Sequence, residues 1–285
     1  MDAYLNHHVP QGTASPYCCV PGWSLELDAE DVLHNVFLGH GKHAVGSAIG
    51  ELLQEGALPP FGAPEECLTI LEAELQVWCR QSHARAPRHH LRLSAIGWPD
   101  WSKRRTSFPE LAAWFKAWEV RIMIPFVAHV LVEQPGDRNQ HARLRMTCLW
   151  GLADFLHVLD TQGRWLDRHA PARVKHAATA YLMCYQHLSR EAHDDGKLLW
   201  KVLPKHHYFG HMVRDAWTSG WNCRFDATFA LEDFGGHVAK LNRNTHGETD
   251  MSRTMQRHLV GLALLWESIL RGASSEADIA HRMLI

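Results

Sequence analysis

The chain has 285 residues, 46% hydrophobic, 21% charged and 9% aromatic, with a net charge of −2; that supplies a large core in one or two domains and excludes disorder, collagen and coiled coil. No apolar run approaches the roughly 18 residues a membrane helix needs, and the first eight residues lack the basic-then-apolar plan of a signal peptide. The expectation is an intracellular protein with no membrane partner. Seven cysteines without a C-x-x-C pair encode neither a disulfide framework nor a thiolate zinc site, and the 22 histidines leave metal binding, proton chemistry and surface bias all open.

In chain order, Trp23 to Asp28 alternates apolar and polar residues after Pro21-Gly22 and is the one predicted strand. Asp31 to Leu53 carries helical stripes loosened by Gly39, Gly41 and Gly46, which predicts two short helices or one kinked one. Pro64, followed by Glu65 and Glu66, opens a helix whose apolar stripe is Leu68, Leu71, Leu75 and Trp78. A loop of about 25 residues follows, a length that is usually functional or mobile. Ser107-Phe108-Pro109-Glu110 has capping-box spacing and predicts a helix running from there to about Val132. Further helices are expected near 140–159, 171–192, 204–217, 227–244 and 249–270, with a terminal one from Ser275.

Charge is unevenly spread: residues 1–79 hold one Lys or Arg against eleven Asp or Glu, whereas residues 80–145 hold twelve against five. Arg88, Arg92, Lys103, Arg104 and Arg105, with Trp98 and Trp101 among them, could grip phosphates while the rings stack; a solvated basic loop paired with the acidic N-terminal part explains them equally well. Asp31 and His34 lie three apart on one helical face, able to share a metal or a proton or simply to start a helix. His207 and His211 have the i, i+4 spacing of two zinc ligands, yet no glutamate follows the first, so H-E-x-x-H is absent. Glu232 and Asp233 are adjacent acids in an apolar helical stretch, candidate metal ligands or helix caps. Nucleophile elbows, P-loops and dinucleotide fingerprints are missing.

The string Asp31-Val32-Leu33-His34-Asn35 through His43 resembles the D-x-x-H block that opens the helical insertion of eukaryotic cut-and-paste DNA transposases, of the CACTA-like and Kyakuja-Dileera-Zisupton-like kinds. Phe115 to Arg121 is similar to their Lys-Ala-x-Glu-x-Arg string, Pro204 to His211 to their Pro-Lys-x-His segment, and Leu231 to Gly236 stands where the last catalytic acid is kept. The resemblance covers about residues 23–247 and implies two-metal strand transfer in a ribonuclease-H-like fold, with Mg2+ or Mn2+ as cofactor. It implies Glu232 as third acid, Asp31 and His34 as accessory pair, and Asp28 as the nearby candidate for a second acid. Only 30 residues precede Asp31, so the set of acids is incomplete and a truncated fragment is expected.

The reading that follows is a mainly α protein, a helical bundle corresponding to the insertion and C-terminal helices of such a transposase, with at most a remnant strand near 23–28. Its regions are 1–30, 31–203 and 204–285. It binds DNA through Arg88, Arg92, Lys103, Arg104, Arg105 and Lys205, is inactive alone, and resides in the nucleus, with other transposase chains as further partners. The metal ligands would be Glu232 and Asp31 in that reading, and His207 and His211 with Zn2+ in the alternative of a histidine-rich metal-binding protein. A second alternative is an all-helical interaction module whose contact face is the Trp-rich helix from Ser107.

Overall fold

Helices form where the apolar repeat of three and four residues coincides with a start signal, and the computed structural model follows that pattern along most of the chain. It describes residues 30–134 and 139–229, with the single positions 253, 256, 259, 260 and 263. These residues are mainly helical and contain no strand, only an isolated antiparallel bridge between Trp165 and Trp221. The chain divides into two compact units, residues 1–227 and 228–285. The expected strand at 23–28 and the expected helices after residue 229 lie outside the described residues, apart from those five positions, which are helical and exposed.

The kinked pair at the start is present as α1 (Leu33–His40) and α2 (Gly41–Gln54). α1 is wound as a π-helix, wider than an α-turn, and leaves helical geometry at Gly39 with φ −118° and ψ −125°. α2 is buried on every side from Gly41 to Leu53, including its polar stripe His43, Ser47 and Glu51. α3 (Pro64–Gln81) has proline at its start, Glu65 and Glu66 at the positive end of its dipole and Arg80 at the negative end, and buries Cys67, Leu68, Leu71, Leu75 and Cys79.

α4 (Ala117–Glu133) begins at Ala117 and not at Ser107. The Ser107-Glu110 string lost to longer-range pairing: the amides of Glu110, Leu111 and Ala112 donate to the carbonyls of Ile96, Lys42 and Ala95, holding an extended segment that buries Leu111 and Phe115. The helix start is fixed instead by buried Glu119, whose carboxylate accepts from the amide of Lys116 at 2.8 Å and from that of Arg88 at 2.9 Å.

α5 (Gln140–Thr161) and α6 (Ala170–Asp194) form the most extensive helix pair. They approach closely at Gly151, where a Cβ would meet the carbonyl oxygen of Ala177 at 2.8 Å. α7 (Pro204–Ser219) packs on α6 and on α1. Its placement brings the Pro204 string against the Asp31 string, in one unit with the helices before it. No helix among the described residues is long and apolar enough to cross a membrane.

Candidate functional site

Asp31 organises the entry to α1 with both carboxylate oxygens: Oδ1 accepts from the amide of Leu33 at 2.9 Å, and Oδ2 pairs with Nδ1 of His34 one turn on. Asp226 ends the short 3-10 turn Cys223–Asp226. Burial pushes its carboxyl above the usual range, the indole N–H of Trp221 at 2.8 Å opposes this, and the negative charge of Asp31 raises it further. Asp31 and Asp226 are therefore near enough to influence one another, but with His34 they do not converge as a three-ligand group. Nothing local in Asn222-Cys223-Arg224-Phe225 marks Asp226 out; only the fold brings it to Asp31.

The wide winding of α1 and its break at Gly39 alter the normal carbonyl pairing, and α7 supplies a donor. The Lys205 ammonium donates to the carbonyl of His34 at 2.6 Å and reaches that of Leu38 at 3.4 Å. Its stem crosses Gly39 so closely that a Cβ there would meet Lys205 Cδ at 2.6 Å and His34 O at 2.8 Å. The Lys205 charge is thus spent on backbone carbonyls in this structure, rather than extended toward a ligand.

Beneath this contact lies a layer of imidazoles and phenols. His40 is fully buried; its Nδ1 lies 2.7 Å from the Tyr181 hydroxyl, its ring stacks on His206 at 5.0 Å and meets Phe209 edge-on, and its Nε2 has no partner among the described residues. Tyr185 donates its hydroxyl to Lys201 O at 2.7 Å. Burial, with His206, Lys205 and His43 nearby, pushes the His40 pKa well down. Burial likewise takes His43 to about 4, reinforced by Lys201, Lys205 and Lys42. His206 also falls to about 4 by burial, against a backbone hydrogen bond at Leu203. His40 and His206 pack as aromatic rings, whereas His43 Nε2 lies 3.0 Å from Glu110 Oε2.

The other residues singled out from sequence are dispersed. Asp28 and Glu232 lie outside the described residues. His207 and His211 place their Nε2 atoms 2.9 Å apart on the outer face of α7, with Arg214 Nη2 at 3.2 Å from His211 Nδ1. No third His, Cys, Asp or Glu among the described residues completes a three-ligand group with them. Arg88, Arg92, Lys103 and Arg105 are exposed, whereas Arg104 is half-buried, its guanidinium over the Trp101 ring and bonded to Trp101 O at 2.7 Å. Trp98 is no stacking ring: it is fully buried, its indole N–H bonded to Ser107 O at 3.0 Å. The loop that holds these residues is ordered by two 3-10 turns, Leu93–Ile96 and Trp101–Arg105. On the segment proposed as an interaction face, Trp114 is 45% exposed, and Trp118 is half-buried under Arg85.

A second polar cluster went unread in the sequence. Glu51, Glu55 and His141 point donor atoms at one place, yet the residues do not fit a metal ion there. Arg145 Nη1 already occupies it, 3.0 Å from Glu51 and 2.9 Å from Glu55. The hydrogen bond to Glu51 outweighs burial and, with Glu191, lifts His141 to about 9, so the imidazole is a cation and not a ligand. Burial acts to raise Glu51, but His141 and Arg145 together hold its pKa low. Trp200 is tied in directly, its indole N–H donating to Glu51 Oε1 at 3.4 Å, while its amide donates to Ser47 Oγ at 2.9 Å. This is an internal ion network joining α2, α5 and α6.

The chain matches no protein-family profile, and no curated protein or solved structure is detectably similar to it.

Proposed function

We propose that this protein is a DNA-binding chain of transposase origin, corresponding to the insertion and C-terminal helices of a DDE-type enzyme, that holds the DNA backbone through exposed Arg88, Arg92, Lys103 and Arg105. The observation that carries the reading is the meeting of the two strings on which the resemblance rests: Lys205 bonds to His34 across 171 residues of sequence, and His206 stacks on His40. The four cations supply the phosphate attraction that a DNA duplex needs without demanding a base sequence.

The resemblance also brings a divalent cation. Within the described residues Asp31 is the acid the resemblance assigns to it; one of its oxygens is held by the Leu33 amide and the other by His34, and no group of three ligands forms around it. When bound, such an ion supplies Lewis acidity to a phosphodiester. Strand transfer needs a third acid, for which the resemblance offers Glu232, so the function proposed for the described residues is binding. Nuclear residence and association with other transposase chains belong to the same reading.

Titration of a labelled duplex by the full chain at several salt concentrations tests it. Binding that weakens steeply with salt is expected, and no binding at low salt overturns the proposal. A second reading, zinc on His207 and His211, is favoured by the 2.9 Å approach of their Nε2 atoms. Equilibrium dialysis against zinc decides it: stoichiometric uptake lost in His207→Ala supports it, and no uptake removes it.

A further inference from the structure

The end of α5 and the stretch after α7 are stitched together more firmly than a surface loop requires. Leu166 N donates to Gly220 O at 2.8 Å and Asn222 N to Arg164 O at 3.0 Å, which makes the Trp165–Trp221 bridge. The Asn222 side chain is fully buried, and its amide donates to Leu159 O at 2.9 Å and Gly163 O at 3.0 Å. This rigid base does not bury the aromatic rings it carries. Trp165 is 65% exposed and Phe225 47%; Trp221 stands between them, edge-on to Trp165 at 5.2 Å and tilted against Phe225 at 6.4 Å. One turn earlier on α7, Trp217 is 45% exposed.

Cations accompany the rings. The Arg164 guanidinium lies 5.8 Å from the centre of Phe225, and Lys175 Nζ 3.4 Å from that of Trp217. Between residues 164 and 175 the chain holds Arg164, Arg168, Arg173 and Lys175 against Asp167, with Arg173 paired to Asp154. The Trp221 indole N–H donates to Asp226 Oδ2 at 2.8 Å.

We propose that Trp165, Trp221 and Phe225, with Arg164 at Phe225 and Lys175 at Trp217, form a stacking platform for single-stranded DNA. Exposed indole and phenyl faces stack on unpaired bases, which a closed duplex does not offer, and the flanking cations meet the phosphates between those bases. The fixed backbone means that little ordering accompanies binding. The choice of DNA as ligand rests on the reading of the preceding section; the platform itself rests on the rings and their cations.

The test uses the full chain and two probes of equal length, a fluorescent oligo-dT and a fluorescent duplex, followed by anisotropy. Trp165→Ala with Phe225→Ala removes two exposed rings, and unchanged circular dichroism and melting temperature verify the fold. Oligo-dT affinity should fall by about tenfold or more, from the usual worth of base–aromatic stacking. Duplex affinity should stay the same, and Trp165→Phe with Phe225→Trp should restore most of the oligo-dT binding. Undiminished oligo-dT affinity in the double Ala variant, with the duplex still bound, overturns the platform and leaves duplex binding standing. Loss of neither probe's affinity on platform mutation but loss of both on charge reversal at Lys103 and Arg105 does the same. Absence of binding to either probe overturns both proposals. Stronger binding of oligo-rU than of oligo-dT overturns the assignment to DNA, and capture of a protein partner without any oligo-dT binding overturns it as well.

Discussion

The Lys205 ammonium lies 2.6 Å from the carbonyl oxygen of His34, on a side chain that runs directly over Gly39. A π-wound segment with a break at its end is a weak structure in isolation, and this cation from α7 holds it closed. Lys205→Met should cost about 1–2 kcal/mol, the usual worth of a hydrogen bond to a charged group in a partly exposed place. Gly39→Ala should cost about 2 kcal/mol or more, because both the Lys205 stem and the His34 carbonyl must give way. The two effects should be less than additive in urea unfolding, since removing the lysine stem clears one of the two clashes. Strict additivity would show that the contact does not form.

Stability should peak near pH 6.5 and fall on both sides. His43 and His206 titrate near 4 in the folded protein and His40 lies well below its ordinary value, so the unfolded chain binds more protons as pH drops below about 6.5. Stability is lost through that window and levels off once the folded values are passed. His141 acts oppositely: its folded value of about 9 gives stability that is complete below about 6.5 and lost as pH rises toward 9. Melting temperatures from pH 4.5 to 9.5 provide the check, and His141→Gln should flatten the alkaline side while leaving the acid side in place.

Arg145 and Glu51 are both buried and bonded at 3.0 Å. Arg145→Met strands a buried carboxylate with only His141 as countercharge, and should destabilise by about 3 kcal/mol or more. Glu51→Gln should also bring the His141 pKa down toward its ordinary range, because Glu51 is the main cause of its rise. Titration of the His141 ring by NMR reads this directly. An unmoved His141 would mean that Glu191 alone holds the proton.

Charge reversal separates the cations of the 88–105 segment. Lys103→Glu and Arg105→Glu change exposed side chains and should each lower the salt slope of duplex binding by about one, with weaker binding to every sequence alike. Arg104→Glu should cost folding stability as well, since that guanidinium packs on Trp101 and bonds to its carbonyl. Equal effects of all three on binding, with no loss of stability at position 104, would contradict the geometry of this turn.

Much of the helical framework was legible. The repeat in Leu68, Leu71 and Leu75 with Pro64 ahead of it, and the kink expected within 31–53, are local signals, and the structure has both. Ser107 to Glu110 was an equally local signal and failed, because the next amides found carbonyls at Lys42, Ala95 and Ile96. Trp98 read as a possible stacking ring because it stands among arginines; its burial depends on a core assembled from elsewhere. Of the candidate site, Asp31 with His34 was readable from spacing, whereas Asp226 was not.

The sequence by itself determined that this protein is mainly helical and where most of its described helices run, since apolar spacing, prolines and caps act within a few residues of chain. Which polar side chains are buried, paired or left at the surface was decided only by the tertiary structure. Arg145 meets Glu51 over 94 residues and Lys205 meets His34 over 171. Partners so far apart leave no trace in local spacing: desolvation and pairing take effect only once packing has brought the groups together.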